Sequence, residues 1–237
     1  MSDKYPSMSP YTYCADNPVR LVDPNGEDPI YTKNFWGKIK KIGDDGKCCT
    51  GSYLVRGSAA RKVRSATKKG DFHTGNLSAS DNVVHVPTGQ VLNDVQSSVT
   101  QSLESGASPD ERVEFGGHAL ENDIHARIWD PGKSTQTKEF SDGTIMKKRT
   151  ITPFLINGKK YQLGGPPQTI EFIWHVHTET SSPSRADYEY AYTWQNVANV
   201  SVFILCPNDK KVSYYNGKRV IFRIKYDDFK KMGRQED

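Results

Sequence analysis

The clearest periodicity in this 237-residue chain runs through residues 91–105. There Val91, Leu92, Val95, Val99 and Leu103 recur at the three-to-four spacing of one helix face. Gly106 and Ser108-Pro109-Asp110 end that helix. Residues 112–119 then read as a short strand. Asn157-Gly158, between apolar runs at 152–156 and 161–163, is a hairpin signal, because the tight turn needs φ > 0 at both central positions. Residues 169–177 read as a strand, 184–196 as a helix and 199–206 as a buried strand. Residues 211–215 and 219–226 flank Asn216-Gly217 as another hairpin, and a short helix covers 227–232. This order predicts an α/β layer fold with a mixed sheet flanked by helices.

Ahead of it the pattern is short and broken. Gly37, Gly43, Gly46, Gly51, Gly57, Gly70 and Gly75 punctuate the chain to about residue 89. That density predicts a small β-rich or irregular region, with one helix at 58–69. Residues 1–28 are denser still in turn formers, and Pro6, Pro10, Pro18 and Pro24 leave no room for a long helix. Their Tyr5, Tyr11 and Tyr13 suit burial against a larger surface. The expected organisation is an aromatic strip at 1–28, a basic β-rich linker region at 29–89 and the principal domain at 90–237.

Composition changes this picture only in part. Charged residues make up 25% of the chain and the mean hydropathy is −0.70. The longest strongly apolar run, 200–206, is too short to span a bilayer. Met1-Ser2-Asp3-Lys4-Tyr5 has no signal-peptide core, so synthesis in the cytoplasm is expected, with any export by a route that reads no cleavable signal. Cys14, Cys48, Cys49 and Cys206 show no regular spacing and read as reduced thiols. Residues 31–70 hold eleven Lys and Arg against two Asp. Such a segment suits an acidic protein, nucleic acid or anionic lipid, and equally a solvated surface.

Candidate chemistry centres on Trp174-His175-Val176-His177. Residues two apart on a strand share a face, so both imidazoles project together and can reach one metal. The pair alone equally fits an exposed edge strand. After six intervening residues, Ser184-Arg185-Ala186-Asp187 opens the next helix. Ser184 there suits an N-cap, and Asp187, three residues on, suits both a reciprocal cap and the helix dipole. A capped helix start is also a rigid mount for a third ligand. Two His, one carboxylate and an open fourth position describe a catalytic zinc site rather than a closed structural one.

Two resemblances extend this reading. Residues 5–26, Y-P-S-M-S-P-Y-T-Y-C-A-D-N-P-V-R-L-V-D-P-N-G, resemble the end of the RHS repeat-associated core, which closes a β-rich shell ahead of a variable toxin. The H-x-H pair, short loop and P-S-x-A-D resemble the signature of JAB/MPN (JAMM) metalloproteases, over roughly residues 90–207. The loop between His177 and Ser184 has six residues where that pattern has seven, and Thr178 stands where proline is typical. The second resemblance implies a JAB/MPN-like sheet, Zn2+ on His175, His177 and Asp187, and a catalytic glutamate on a strand after the first long helix. Glu114 in Val113-Glu114-Phe115-Gly116-Gly117 matches that place.

Together they imply a peptide- or isopeptide-cleaving toxin. Glu114 would move the proton of the attacking water, and Ser184 would help stabilise the oxyanion. The implied partners are a protein substrate, a cognate immunity protein and an RHS shell or delivery machinery. A metal-dependent nuclease would use the same histidines with the basic 31–70 segment, but no basic residue lies between His175 and Ser184 to hold a phosphate. A non-catalytic MPN-like binding module is the third reading. His73, His85, His118 and His125 read as structural or surface residues, with His118 a possible cleft residue.

Overall fold

A computed structural model describes residues 28–47, 51–109, 111–120, 123–129, 135–139, 145–149, 170–195 and 200–234. The strip at 1–27, the hairpin around Asn157-Gly158, and Cys14, Cys48 and Cys49 lie outside the described residues.

The chain is mixed α/β, with two principal mixed sheets and four helices among the described residues. The first sheet joins β1 (Pro29–Lys33), β2 (Ile39–Asp44), β3 (Ser52–Val55) and β4 (Val83–Val86) in the order β2-β1-β3-β4. Strands β1 and β3 run parallel and the other pairs antiparallel. Helix α1 (Gly57–Lys68) connects β3 to β4 and buries Ala60 and Val63 against Ile30, Tyr53, Val55 and Val83 of that sheet. The glycine-punctuated region is thus β-rich, with its helix within a residue of the expected place.

Helix α2 (Gly89–Glu104) follows, then β5 (Gly116–Leu120), β6 (Arg127–Trp129), the separate pair β7 (Thr135–Glu139) and β8 (Ile145–Arg149), and β9 (Ile170–Val176). Helix α3 (Arg185–Gln195), β10 (Ser201–Cys206), β11 (Lys211–Tyr215), β12 (Val220–Lys225) and α4 (Tyr226–Arg234) complete the order. The second sheet reads β12-β11-β10-β9-β5-β6, with only β9 and β10 parallel.

Side-chain alternation on β9 sorts its residues between two cores. Phe172, Trp174 and Val176 join Val91, Leu92, Val95 and Val99 of α2 and Phe229 and Met232 of α4. Ile173 faces the other way and packs with Ala191 of α3 and Val202 and Ile204 of β10. All six residues of β10 are buried, as expected of a strand paired on both edges and covered on both faces. Tyr31, Leu54, Val84 and Val86 of the first sheet share the α2/α4 core. The layers therefore run α1, first sheet, main core with α2 and α4, second sheet, α3. Between the sheets, His85 Nδ1 lies 2.9 Å from Glu171 Oε1, and the His85 backbone N–H donates to Ser201 Oγ at 2.9 Å. No helix among the described residues is long and apolar enough to cross a membrane.

One expected boundary moves. The strand expected at 112–119 begins only at Gly116, because Val113 is held by side chains of α2 and its C-cap, Ser102 and Ser105, rather than by a neighbouring strand.

Candidate metal centre

His175 and Ile173 share the α3 side of the second sheet, and His177 continues that alternation one residue past the end of β9. The backbone N–H of His177 still donates to Leu205 O at 2.9 Å, which extends the pairing with β10. Its Nδ1 lies 3.0 Å from the carbonyl oxygen of Thr180. A carbonyl can only accept, so Nδ1 carries the proton and Nε2 is left to face the site.

Asp187 comes from the first turn of α3. Its carboxylate accepts the Ser184 backbone N–H at 2.6 Å, and Ser184 Oγ accepts the Asp187 N–H at 3.3 Å. This reciprocal cap satisfies two helix-end donors and aims the carboxylate back at the strand. The cap and ligand readings of Ser184-x-x-Asp187 therefore coexist. Ser181 steadies the intervening loop, donating through its backbone N–H and hydroxyl to Asp209 Oδ2 at 2.8 and 2.9 Å.

The three side chains converge. Asp187 Oδ1 lies 3.1 Å from His175 Nε2, Asp187 Oδ2 lies 3.3 Å from His177 Nε2, and the two Nε2 atoms are 2.9 Å apart. Two donors bound tetrahedrally at zinc–nitrogen distances of about 2.0–2.1 Å would be about 3.4 Å apart. The observed spacings need only a small spreading to match. His175, His177 and Asp187 could thus hold a metal ion. Each keeps only 13–15% of its side-chain surface exposed, so the group is sheltered but reaches solvent.

The electrostatics fit a cation. Burial opposes the charge on Asp187, yet hydrogen bonds from His175 and His177 and their positive charge outweigh it. The carboxyl is held well below its usual range. Burial also opposes protonation of His177. The Asp187 hydrogen bond, the charges of Glu114 and Asp187, and the Thr180 carbonyl outweigh it and raise the imidazole above its ordinary value. Two nitrogens and two carboxylate oxygens crowded together favour a shared positive charge, whether proton or metal.

Glu114 sits beside this group. Gly116 pairs with His175 across the antiparallel β5–β9 ladder, and the Val176 N–H donates to Phe115 O at 2.7 Å, so the pairing continues past the end of β5. Extending that register by two residues sets Glu114 opposite His177, on the same face. The residue before Glu114 is held at both its carbonyl and its N–H. Ser102 Oγ donates to Val113 O at 2.8 Å and the Val113 N–H donates to Ser105 Oγ at 2.8 Å. Glu114 is buried, at 8% exposure.

Gly116 contributes by lacking a side chain. A Cβ there would lie 2.5 Å from Trp174 O and 2.9 Å from His175 Cβ. This close approach of β5 to β9 was not assigned from sequence, nor were the Thr180 carbonyl and the α2 serines. The glycine pair was the only sequence signal for any of them.

The remaining histidines lie elsewhere. His118 Nδ1 accepts the Trp129 indole N–H at 2.8 Å, and burial, with the Arg127 charge, pushes its imidazole down to about 4. It is a neutral structural acceptor opposite Ile173 and outside the ligand group. His125 pairs with Asp94, and His85 with Glu171. A separate cavity of about 220 Å³, lined by residues including Ser80, Asp81, Val202 and Tyr215, shares none of the ligands.

Comparison with known proteins found no matching family model, no matching curated protein and no matching solved structure.

Proposed function

We propose that the protein is a zinc-dependent metallopeptidase of the JAMM type, hydrolysing a peptide or isopeptide bond. The observation that carries this reading is the juxtaposition of a two-His, one-Asp group with a carboxylate just ahead of the adjoining strand β5, where the register extended from Gly116 sets Glu114 opposite His177. A zinc ion on those ligands would supply Lewis-acid polarisation of an amide carbonyl and an acidified water. Glu114, outside the ligand group, would accept the water proton and return it to the leaving nitrogen. Ser184 Oγ accepts from Asp187 N–H and keeps its own proton for a developing oxyanion.

The resemblance of residues 5–26 to an RHS core end supports a toxin delivered to another cell, with a protein substrate and an immunity partner. The nuclease reading draws less support, because the basic helix α1 lies on the flank opposite α3 and the ligands.

The test is metal analysis beside activity. About one zinc per chain is expected, lost in His175→Ala, His177→Ala and Asp187→Ala and kept in Glu114→Gln. Toxicity on expression without an immunity partner is expected to disappear in Glu114→Gln while the thermal midpoint holds. Full zinc in the three ligand variants overturns the site. Equal toxicity of wild type and Glu114→Gln removes Glu114 from the chemistry.

A further inference from the structure

The β1–β2 hairpin carries the most exposed aromatic side chains among the described residues. Phe35 and Trp36 at its tip are 96% and 82% exposed, their rings edge to face with centroids 5.6 Å apart. The exposure does not come from a frayed loop. Asn34 N–H donates to Lys38 O at 2.9 Å, Gly37 N–H to Asn34 O at 3.0 Å, and Lys38 N–H to Asn34 Oδ1 at 2.9 Å. Gly37 takes the φ of +81° that the reversal requires. The tip is therefore a preformed wedge that holds two large apolar groups in water.

Its flanks are basic. Lys33 precedes the aromatics, Lys38 and Lys40 follow them, all exposed, and no acidic residue occurs between positions 29 and 43. Helix α1 lies against β2, where Thr67 Oγ1 donates to Ile42 O at 2.8 Å, and it adds exposed Arg61, Lys62, Arg64 and Lys68 with no acidic residue of its own. The positive surface thus continues from the hairpin onto the helix.

We propose that this hairpin docks the protein on an anionic lipid surface, Phe35 and Trp36 entering the interface and the lysines meeting the headgroups. Aromatic side chains favour that boundary, lysine stems reach from apolar surroundings to charged groups, and each lysine near an anionic leaflet adds attraction. The shape favours lipid over other acidic partners. Rings packed edge to face form a wedge rather than the open platforms on which bases stack. A protein hot spot sits within a surrounding rim of contact surface, whereas this tip is bordered by Asn34 and lysines. The metal ligands lie on the α3 flank, so docking leaves them uncovered.

The test is co-sedimentation of the full chain with vesicles of phosphatidylcholine alone or mixed with phosphatidylserine at about 7:3. Wild type is expected to bind the mixed vesicles, weaken as salt rises, and leave phosphatidylcholine alone unbound. Lys38→Ala/Lys40→Ala should weaken binding about 30-fold, from about fivefold per lysine. Phe35→Ser/Trp36→Ser should weaken it at least about tenfold. Both variants should keep the wild-type thermal midpoint and zinc content, since they alter only exposed groups. Equal pelleting with both vesicle types, or an aromatic variant that binds like wild type, overturns the proposal. So does aromatic-dependent binding to single-stranded DNA in a protein that ignores vesicles.

Discussion

Asp187→Asn separates the charge of the third candidate ligand from its shape. The amide oxygen can still accept the Ser184 N–H, so the helix cap survives, but the ionic contacts to His175 and His177 do not. Charge-assisted hydrogen bonds of this kind are worth about 2–3 kcal/mol together where little surface is exposed. In a chain of this size that is about 5–10 °C in thermal midpoint. The loss should depend on pH. His177 has a folded value above its unfolded one, so its contribution is full below the unfolded value and fades as pH rises through the folded one. Asp187 has a depressed folded value, so its contribution is present above the ordinary carboxylate pKa and fades only in acid. Both operate near pH 5.5, below the ordinary histidine value, and the histidine part fades as pH climbs above it. Thermal melts in chelator should thus show a wider gap between wild type and Asp187→Asn at the lower pH. Added zinc should do the reverse for wild type, stabilising more at the higher pH where no proton competes, and should do little for the variant. A gap that is the same at both pH values refutes the ionic account. Equal zinc stabilisation of the two proteins refutes the ligand role.

Three further substitutions probe the frame around the ligands. Gly116→Ala should push β5 from β9 at His175, costing about 1–3 kcal/mol and weakening zinc retention, read by denaturant unfolding and metal analysis. Ser184→Ala should cost about 1 kcal/mol through the lost cap at Asp187 N–H, with zinc kept but bound less tightly in a chelator competition. His118→Phe should leave the Trp129 indole N–H without its acceptor and cost about 1–3 kcal/mol, with zinc content unchanged.

The parts of this molecule legible in its sequence are those governed by local spacing. The two-residue step from His175 to His177 and the three-residue step from Ser184 to Asp187 each encode a direction, and the structure brings both directions to one point. Helix α2 was legible because its stripe of Val91, Leu92, Val95 and Val99 meets a core on one side only. Glu114 could be singled out by its order after that helix, but not explained. Its place depends on Gly116 pairing with His175 almost sixty residues away, which no local pattern specifies. The short strands β6, β7 and β8 carry too few alternating apolar positions to signal themselves, and β7 and β8 read as polar text. The strand starts four residues later than its sequence suggests because Ser102 and Ser105, at the C-terminal end of α2, satisfy Val113 in place of a second strand.

Were an ion held by His175, His177 and Asp187, the reciprocal cap at Ser184 would outlast its removal. All three ligands fall between positions 175 and 187, so a bound ion closes only a short loop. The chain entropy released on opening so small a ring is modest, and the apolar clusters on both faces of the sheet include none of the ligands. Chelation should therefore empty the site without dissolving the fold, unlike small domains whose metal supplies most of their folding energy. The capped helix would wait in place for the ion to return, making metal occupancy a reversible setting of a standing framework.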